Sequence, residues 1–203
     1  MRQLREARAD HCGDDEVKSL VEIGKETGTD KFQHGYLPHY ERHLSPIALL
    51  DVAVLEIGVA KGASIRMWAQ WFSHLSAVIH GVETTDIVDP PFDDPRISVF
   101  FEDIKTVDLA NLEPTYDLIV DDGSHLASDI VAAYQRLWKL VRPGGWYVIE
   151  DLYNQWSSAG EGGPEGSTAS RMIEDILRLI FCDDSRISEF HAYPKVLLLR
   201  KAL

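Results

Sequence analysis

The chain has little cysteine, little basic charge and no long apolar run. Cys12 and Cys182 are its only cysteines, too few for a disulfide framework and without metal-ligand spacing. Twenty basic residues against 33 acidic ones leave a formal charge of −13, which repels phosphate backbones and anionic lipid. Neither nucleic acid nor a membrane surface is therefore expected as a partner. The longest apolar stretch, Pro46 to Ala60, is broken by Asp51 and Glu56, so no membrane span is expected. The first thirty residues are polar and hold no apolar core of a secretion signal. A reducing, cytoplasmic setting is the expectation.

What is present is the balance of an ordinary globule, 45% apolar and 26% charged over 203 residues. That length suits one domain with small appendages. Residues 1–27 read as a polar segment with a short helix at Glu16 to Lys25, stopped by Gly28. Thr29 to Leu44 crowds Asp30, Lys31, His34, Tyr36, His39, Tyr40, Glu41 and His43 into one short stretch. From Val52 the pattern becomes regular. Short apolar runs read as strands at Val52–Gly58, Ala77–Val82, Arg96–Phe101, Tyr116–Asp121 and Gly144–Glu150, the last after a turn at Arg142-Pro143-Gly144-Gly145. Helical spacing appears over Gly62–Leu75, Ser128–Val141 and Thr168–Phe181. Arg186–His191 and Lys195–Arg200 read as a closing hairpin. Strands alternating with helices predict an α/β fold, a doubly wound and mostly parallel sheet with one antiparallel strand. In such sheets ligands bind at the carboxyl ends of the strands.

The first strand runs into Glu56-Ile57-Gly58-Val59-Ala60-Lys61-Gly62, and Ala63-Ser64 opens the helix. Small residues here let a ligand approach the backbone. Ala60 and Glu56 fit a dinucleotide fingerprint poorly, and a carboxylate at Glu56 suits an amino group better than a pyrophosphate. Glu83 ends the second strand, where an acid can accept from ribose hydroxyls; alone it would read as a surface acid. Asp103 follows the third strand, placed to accept from an adenine amino group with Ile104 against the ring; alone it reads nearly as well as a solvated acid. Asp121-Asp122 and Glu150-Asp151 end two strands that should be neighbours. Singly these pairs would read as a turn and a helix cap. Together they are clustered acids that call for a shared cation, and oxygen ligands suit magnesium, calcium or manganese. His125, three residues after Asp122, is the histidine best placed to act as a general base, although a lone histidine is more often structural.

These residues resemble class I S-adenosylmethionine-dependent methyltransferases, through Glu56 to Gly62 and Glu83. Three segments are similar, more narrowly, to the macrocin and mycinamicin sugar O-methyltransferases of macrolide biosynthesis. They are Gly28-Thr29-Asp30-Lys31 with His34, Tyr36, Tyr40 and Glu41; Asp121-Asp122-Gly123-Ser124-His125; and Arg142-Pro143-Gly144-Gly145 through Glu150-Asp151. The resemblance implies a Rossmann-like, seven-stranded methyltransferase domain over 28–203. It implies magnesium held by Asp122, Glu150 and Asp151, with Asp122 and His125 as the catalytic pair and His125 the base. It implies that the methionine end of the cofactor meets Gly58, Ala60 and Asp121, with Glu56 and Ser64 beside it, that the ribose meets Glu83, and that the adenine end meets Asp103. Tyr36 is implied as a further cofactor contact. Glu102 departs from the glycine expected before the adenine-binding acid.

The expected activity is metal-dependent methylation of a sugar hydroxyl on a glycosylated natural product. The expected partner is thus a small glycosylated acceptor, with a homo-oligomer left open. A catechol-like diol satisfies the same site chemistry. A nicotinamide oxidoreductase and a non-catalytic binder are the competing readings; Ala60 and Glu56 count against the first, and the carboxylates with His125 against the second. Ser157–Ser170, rich in glycine and serine, reads equally as a substrate lid or a plain surface loop.

Overall fold

The computed structural model describes residues 18–152, 174 and 186–203. The predicted loop at Ser157–Ser170 lies outside the described residues, as does the predicted helix at Thr168–Phe181 but for position 174.

The first helix, α1, spans Leu20–Thr27, a few residues later than its apolar spacing suggested. Its start is set by a capping box, in which Ser19 and Glu22 each satisfy a backbone amide of the other. Gly28, in a left-handed conformation, ends it. The crowded polar stretch forms two more helices, α2 (Asp30–His34), capped by the Thr29 side chain, and α3 (Leu37–Leu44).

The sheet follows: β1 (Ala53–Ile57), then α4 (Ala63–Trp71), β2 (Val78–Glu83), β3 (Ile97–Phe101) and β4 (Tyr116–Asp121). After α5 (Ala127–Leu137) come β5 (Val141–Ile149), β6 (Ile187–Tyr193) and β7 (Val196–Lys201). Seven strands lie in the order β3-β2-β1-β4-β5-β7-β6. Strand β7 runs antiparallel to both its neighbours, and the other pairings are parallel. This is the doubly wound sheet with one antiparallel strand that the pattern predicted.

One prediction fails locally. Arg142-Pro143-Gly144-Gly145 is not a turn before β5 but part of it. The strand absorbs these residues as an irregularity: Tyr116 pairs with Val141, while Leu118 pairs with Trp146. Gly144 makes the detour at a φ of 78°, open to glycine at little cost.

The sheet separates two cores, because successive strand residues face opposite sides. Val54, Leu118, Val120, Val148 and Leu198 pack with α1, α3 and α4 through Leu20, Leu37, Tyr40 and Trp68. Leu55, Ile57, Ile119, Tyr147 and Leu199 pack with α5 through Ile130, Ala133 and Leu137. No helix among the described residues is long and apolar enough to cross a membrane.

Candidate functional site

Register alone assembles the site. Ile57 pairs with Val82 on one side and Asp121 on the other, and Asp121 pairs with Ile149. The residues that follow, Gly58, Glu83, Asp122 and Glu150, therefore emerge side by side at the carboxyl edge. The backbone continues these contacts: Gly58 N–H donates to Val82 at 3.0 Å, Asp122 N–H to Ile57 at 3.0 Å and Glu150 N–H to Asp121 at 2.9 Å. Gly58 has to be glycine. Its φ is 84°, and a Cβ there would stand 2.0 Å from the Asp122 carbonyl oxygen.

Two cavities open at this edge and share Gly58, Glu83 and Gly123 as a common wall. The first, about 260 Å³, is lined also by Val82, Asp103, Ile104 and Asp121. The second, about 550 Å³, is lined also by Asp30, Ala60, Ser64, Asp122, His125 and Asp151. Of the non-glycine residues with positive φ, Ala60 (46°), His125 (59°) and Asp151 (53°) all line the second cavity. Such conformations cost of order 1–3 kcal/mol and gather at functional sites.

Asp121 sits in the first cavity, where burial pushes its carboxyl up to about 7 against the hydrogen bonds of Tyr147 and the Gly123 amide. Tyr147 donates to it at 3.2 Å. Glu83 clamps the turn after β1, accepting from Val59 N–H at 3.1 Å and Ala60 N–H at 2.9 Å. Asp103 accepts from the Lys105 amide at 2.8 Å. In the second cavity the ligand atoms of Asp122, His125 and Asp151 all lie within 4.8 Å of one another. Two carboxylates at that spacing fit a hard divalent cation that keeps several waters. His125 Nε2 stands 3.6 Å from Asp151 Oδ2, and His34 Nδ1 3.7 Å from Asp151 Oδ1.

Three expected residues sit elsewhere. Glu56, placed by its sequence position to receive an amino group, receives one from within the protein: Lys31 Nζ lies 3.0 Å from its Oε1, and Ser64 donates to its Oε2 at 2.8 Å. Glu56 is fully buried and lines neither cavity. Tyr36 also lines neither, because its hydroxyl is turned to Asp151 Oδ1 at 2.5 Å. Glu150, expected among the metal ligands, does not join the convergent group. Its Oε2 accepts from Lys31 at 2.9 Å and its Oε1 from the Tyr40 hydroxyl, and it is buried. Ser64 lines the second cavity, but its hydroxyl is spent on Glu56.

Lys31 and Tyr40 carry part of the family resemblance, but their sequence positions assign them no role in the site. Burial opposes the charge on Lys31, but Asp122, Glu150 and Glu56 outweigh it and hold its pKa well above the ordinary lysine value. The signal that could have found it is electrostatic: several acids at one sheet edge need a counter-charge, and a protein cation serves as well as a metal.

Residues 55–152 match the model of a methyltransferase domain. The chain is 32% identical over 165 residues to 8-demethyl-8-alpha-L-rhamnosyl tetracenomycin-C 2'-O-methyltransferase of Streptomyces olivaceus, covering 75% of this chain and 43% of that protein. It is 33% identical over 162 residues to mycinamicin VI 2''-O-methyltransferase of Micromonospora griseorubida, covering 72% of this chain and 39% of that one. The MycE methyltransferase of the mycinamycin biosynthetic pathway, solved in complex with Mg, SAH and mycinamycin VI, superposes with a TM-score of 0.82. It is 28% identical, over 92% of this chain and 55% of that chain. The chain thus spans less than half the length of these curated relatives.

Proposed function

We propose that the chain, whose residues 55–152 match the model of a methyltransferase domain, moves a methyl group from S-adenosylmethionine to a sugar hydroxyl of a glycosylated small molecule. The observation that carries this reading is the shared wall: one cavity suited to a nucleoside and a second, larger one bearing the carboxylates and His125 meet at Gly58, Glu83 and Gly123. A donor in the first and an acceptor in the second would then face each other across a glycine backbone.

In this reading Glu83 takes the ribose hydroxyls, and Asp103 with Ile104 the adenine. Asp121, with Gly58 and Ala60, takes the amino-acid end. An incoming ammonium group offsets the burial of Asp121 and favours its charged form. Asp122 and Asp151 would hold magnesium or manganese, with Glu150 behind them engaged by Lys31 and Tyr40. The cofactor supplies an already activated methyl, and the cation, when bound, supplies Lewis acidity toward a hydroxyl.

The protein's own task is to orient the acceptor and remove a proton. His125, on the cavity wall, takes that proton at a ring nitrogen. Asp151, 3.6 Å from His125 Nε2, stabilises the imidazolium that forms. The Tyr36 hydroxyl holds Asp151 from behind, so the carboxylate keeps its direction. The sugar acceptor is supported by the relatives, whose names specify O-methylation of a rhamnosyl tetracenomycin and of mycinamicin VI. We place the enzyme in the cytoplasm, where its two cysteines stay reduced.

The test is incubation with label-bearing S-adenosylmethionine, magnesium and a panel of glycosylated polyketides, their aglycones and simple catechols, read by mass spectrometry. Label is expected in glycosylated acceptors and absent from their aglycones. Label confined to catechols would refute the sugar assignment.

A further inference from the structure

A further convergence of ligand-type side chains stands apart from both cavities. His39 and His43, from the crowded polar stretch, lie four residues apart on one face of α3. Glu189 and His191, two residues apart, share one face of β6, an edge strand of the sheet. Helix α3 lays His43 against that face. Its ring centroid is 4.1 Å from that of His191, and its Nε2 is 2.8 Å from the Tyr193 hydroxyl. His39 stacks on the Tyr193 ring with centroids 3.7 Å apart. One ligand atom from each of His43, Glu189 and His191 lies within 4.8 Å of the other two. None of the three lines either cavity.

We infer that His43, Glu189 and His191 form a metal site of their own, which takes one cation of the zinc class and clips α3 to β6. Two imidazoles and a carboxylate are a ligand set of open zinc sites. His191 Nε2 donates to Glu189 Oε2 at 3.0 Å, near the ~3.3 Å that separates two ligands of a tetrahedral zinc ion. The cation replaces the proton between them, and the neutral His191 ring carries its proton at Nδ1 instead. The other oxygen of Glu189 accepts from Arg200, which also donates to the Gly144 carbonyl at 3.1 Å. That pairing fixes the direction of the carboxylate and offsets its charge. The site therefore offers chiefly imidazole nitrogen, which suits zinc, nickel or copper and disfavours magnesium and calcium. The clip fastens the helix that carries Tyr40, whose hydroxyl donates to Glu150.

The test is Zn2+, titrated calorimetrically into the full chain in excess magnesium, with a thermal melt before and after. The wild-type chain should bind zinc and melt at a higher temperature with it. Glu189→Gln and His191→Gln should each take up one zinc ion fewer, or bind it at least about tenfold more weakly. Uptake in both variants equal to that of wild type overturns the inference, as does a wild-type chain that takes up no zinc. A loss of zinc seen only in His125→Gln overturns it too, because the ion then sits at the second cavity. Anomalous diffraction at the zinc edge from zinc-soaked wild-type crystals decides the matter without any variant. A peak between His43, Glu189 and His191 is expected, and a peak confined to the neighbourhood of Asp151 overturns the inference.

Discussion

Replacing Glu83 by glutamine separates fold from cofactor. Its Oε2 accepts from the amides of Val59 and Ala60, and its Oε1 from the amides of Thr84 and Thr85 at 2.7 and 3.3 Å and the Thr84 hydroxyl at 3.1 Å. Burial pushes the Glu83 carboxyl up, but the amides of Ala60, Thr84 and Thr85 outweigh it and hold the group below the ordinary glutamate range. It is therefore ionised at neutral pH. Glutamine keeps the shape but converts one acceptor atom into a donor that faces other donors. A hydrogen bond to a charged group is worth roughly 1.5–3 kcal/mol. Loss of that acceptor for a ribose hydroxyl should weaken S-adenosylmethionine binding about 10- to 100-fold. The loosened turn should lower the melting temperature by about 3–12 °C while leaving the chain folded. Calorimetric titration and a thermal melt on the same protein read both effects. A lowered melting temperature with unchanged affinity would show Glu83 to be a clamp only and refute the ribose assignment.

His125→Ala should reduce the single-turnover rate by about 10²–10⁴ and leave cofactor affinity unchanged, as removal of a general base does; rapid-quench kinetics with a known acceptor checks this. Gly58→Ala should abolish cofactor binding in calorimetry, because its Cβ would stand 2.0 Å from the Asp122 carbonyl at a left-handed φ. Arg96 closes the end of α4, donating to the Ala69 and Phe72 carbonyls at 2.6 Å, and Asp94 holds it at 2.6 Å. That pairing holds the Asp94 carboxyl below the ordinary aspartate value, so its stabilisation is present above that value and is lost as pH falls through the folded one. Asp94→Asn should cost about 0.5–1 kcal/mol at pH 7, and its melting curve should converge with that of wild type once the pH has fallen through the lowered carboxyl value.

Strand ends were legible because a buried parallel strand is an unbroken apolar run, and Gly58, Asp122 and Asp151 stand where such runs stop. Their convergence was legible too, since it follows from parallel register. The start of β5 was not. Proline followed by two glycines is a local turn signal, and only the pairing of Tyr116 with Val141 reveals that the strand begins before it. The inward role of Lys31 was hidden for a different reason. Its partners Asp122 and Glu150 are 91 and 119 residues away, and no spacing in the chain encodes contacts of that range. Tyr36 and Tyr40 reach across 115 and 110 residues in the same way. The amino-terminal helices thus carry the groups that hold the site's carboxylates, and sequence reading of those helices alone points outward, to the cofactor.

On the proposed reading, methyl transfer needs a divalent ion held by Asp122 and Asp151. The direct measurement is label transfer to an accepted glycoside in excess chelator, then with magnesium or manganese restored, for wild type and Asp151→Asn, alongside calorimetric binding of S-adenosylmethionine. The account predicts that chelation abolishes transfer but spares cofactor binding, that either ion restores it, and that Asp151→Asn needs a higher magnesium concentration. Full transfer in chelator, with no metal retained by elemental analysis, would contradict it.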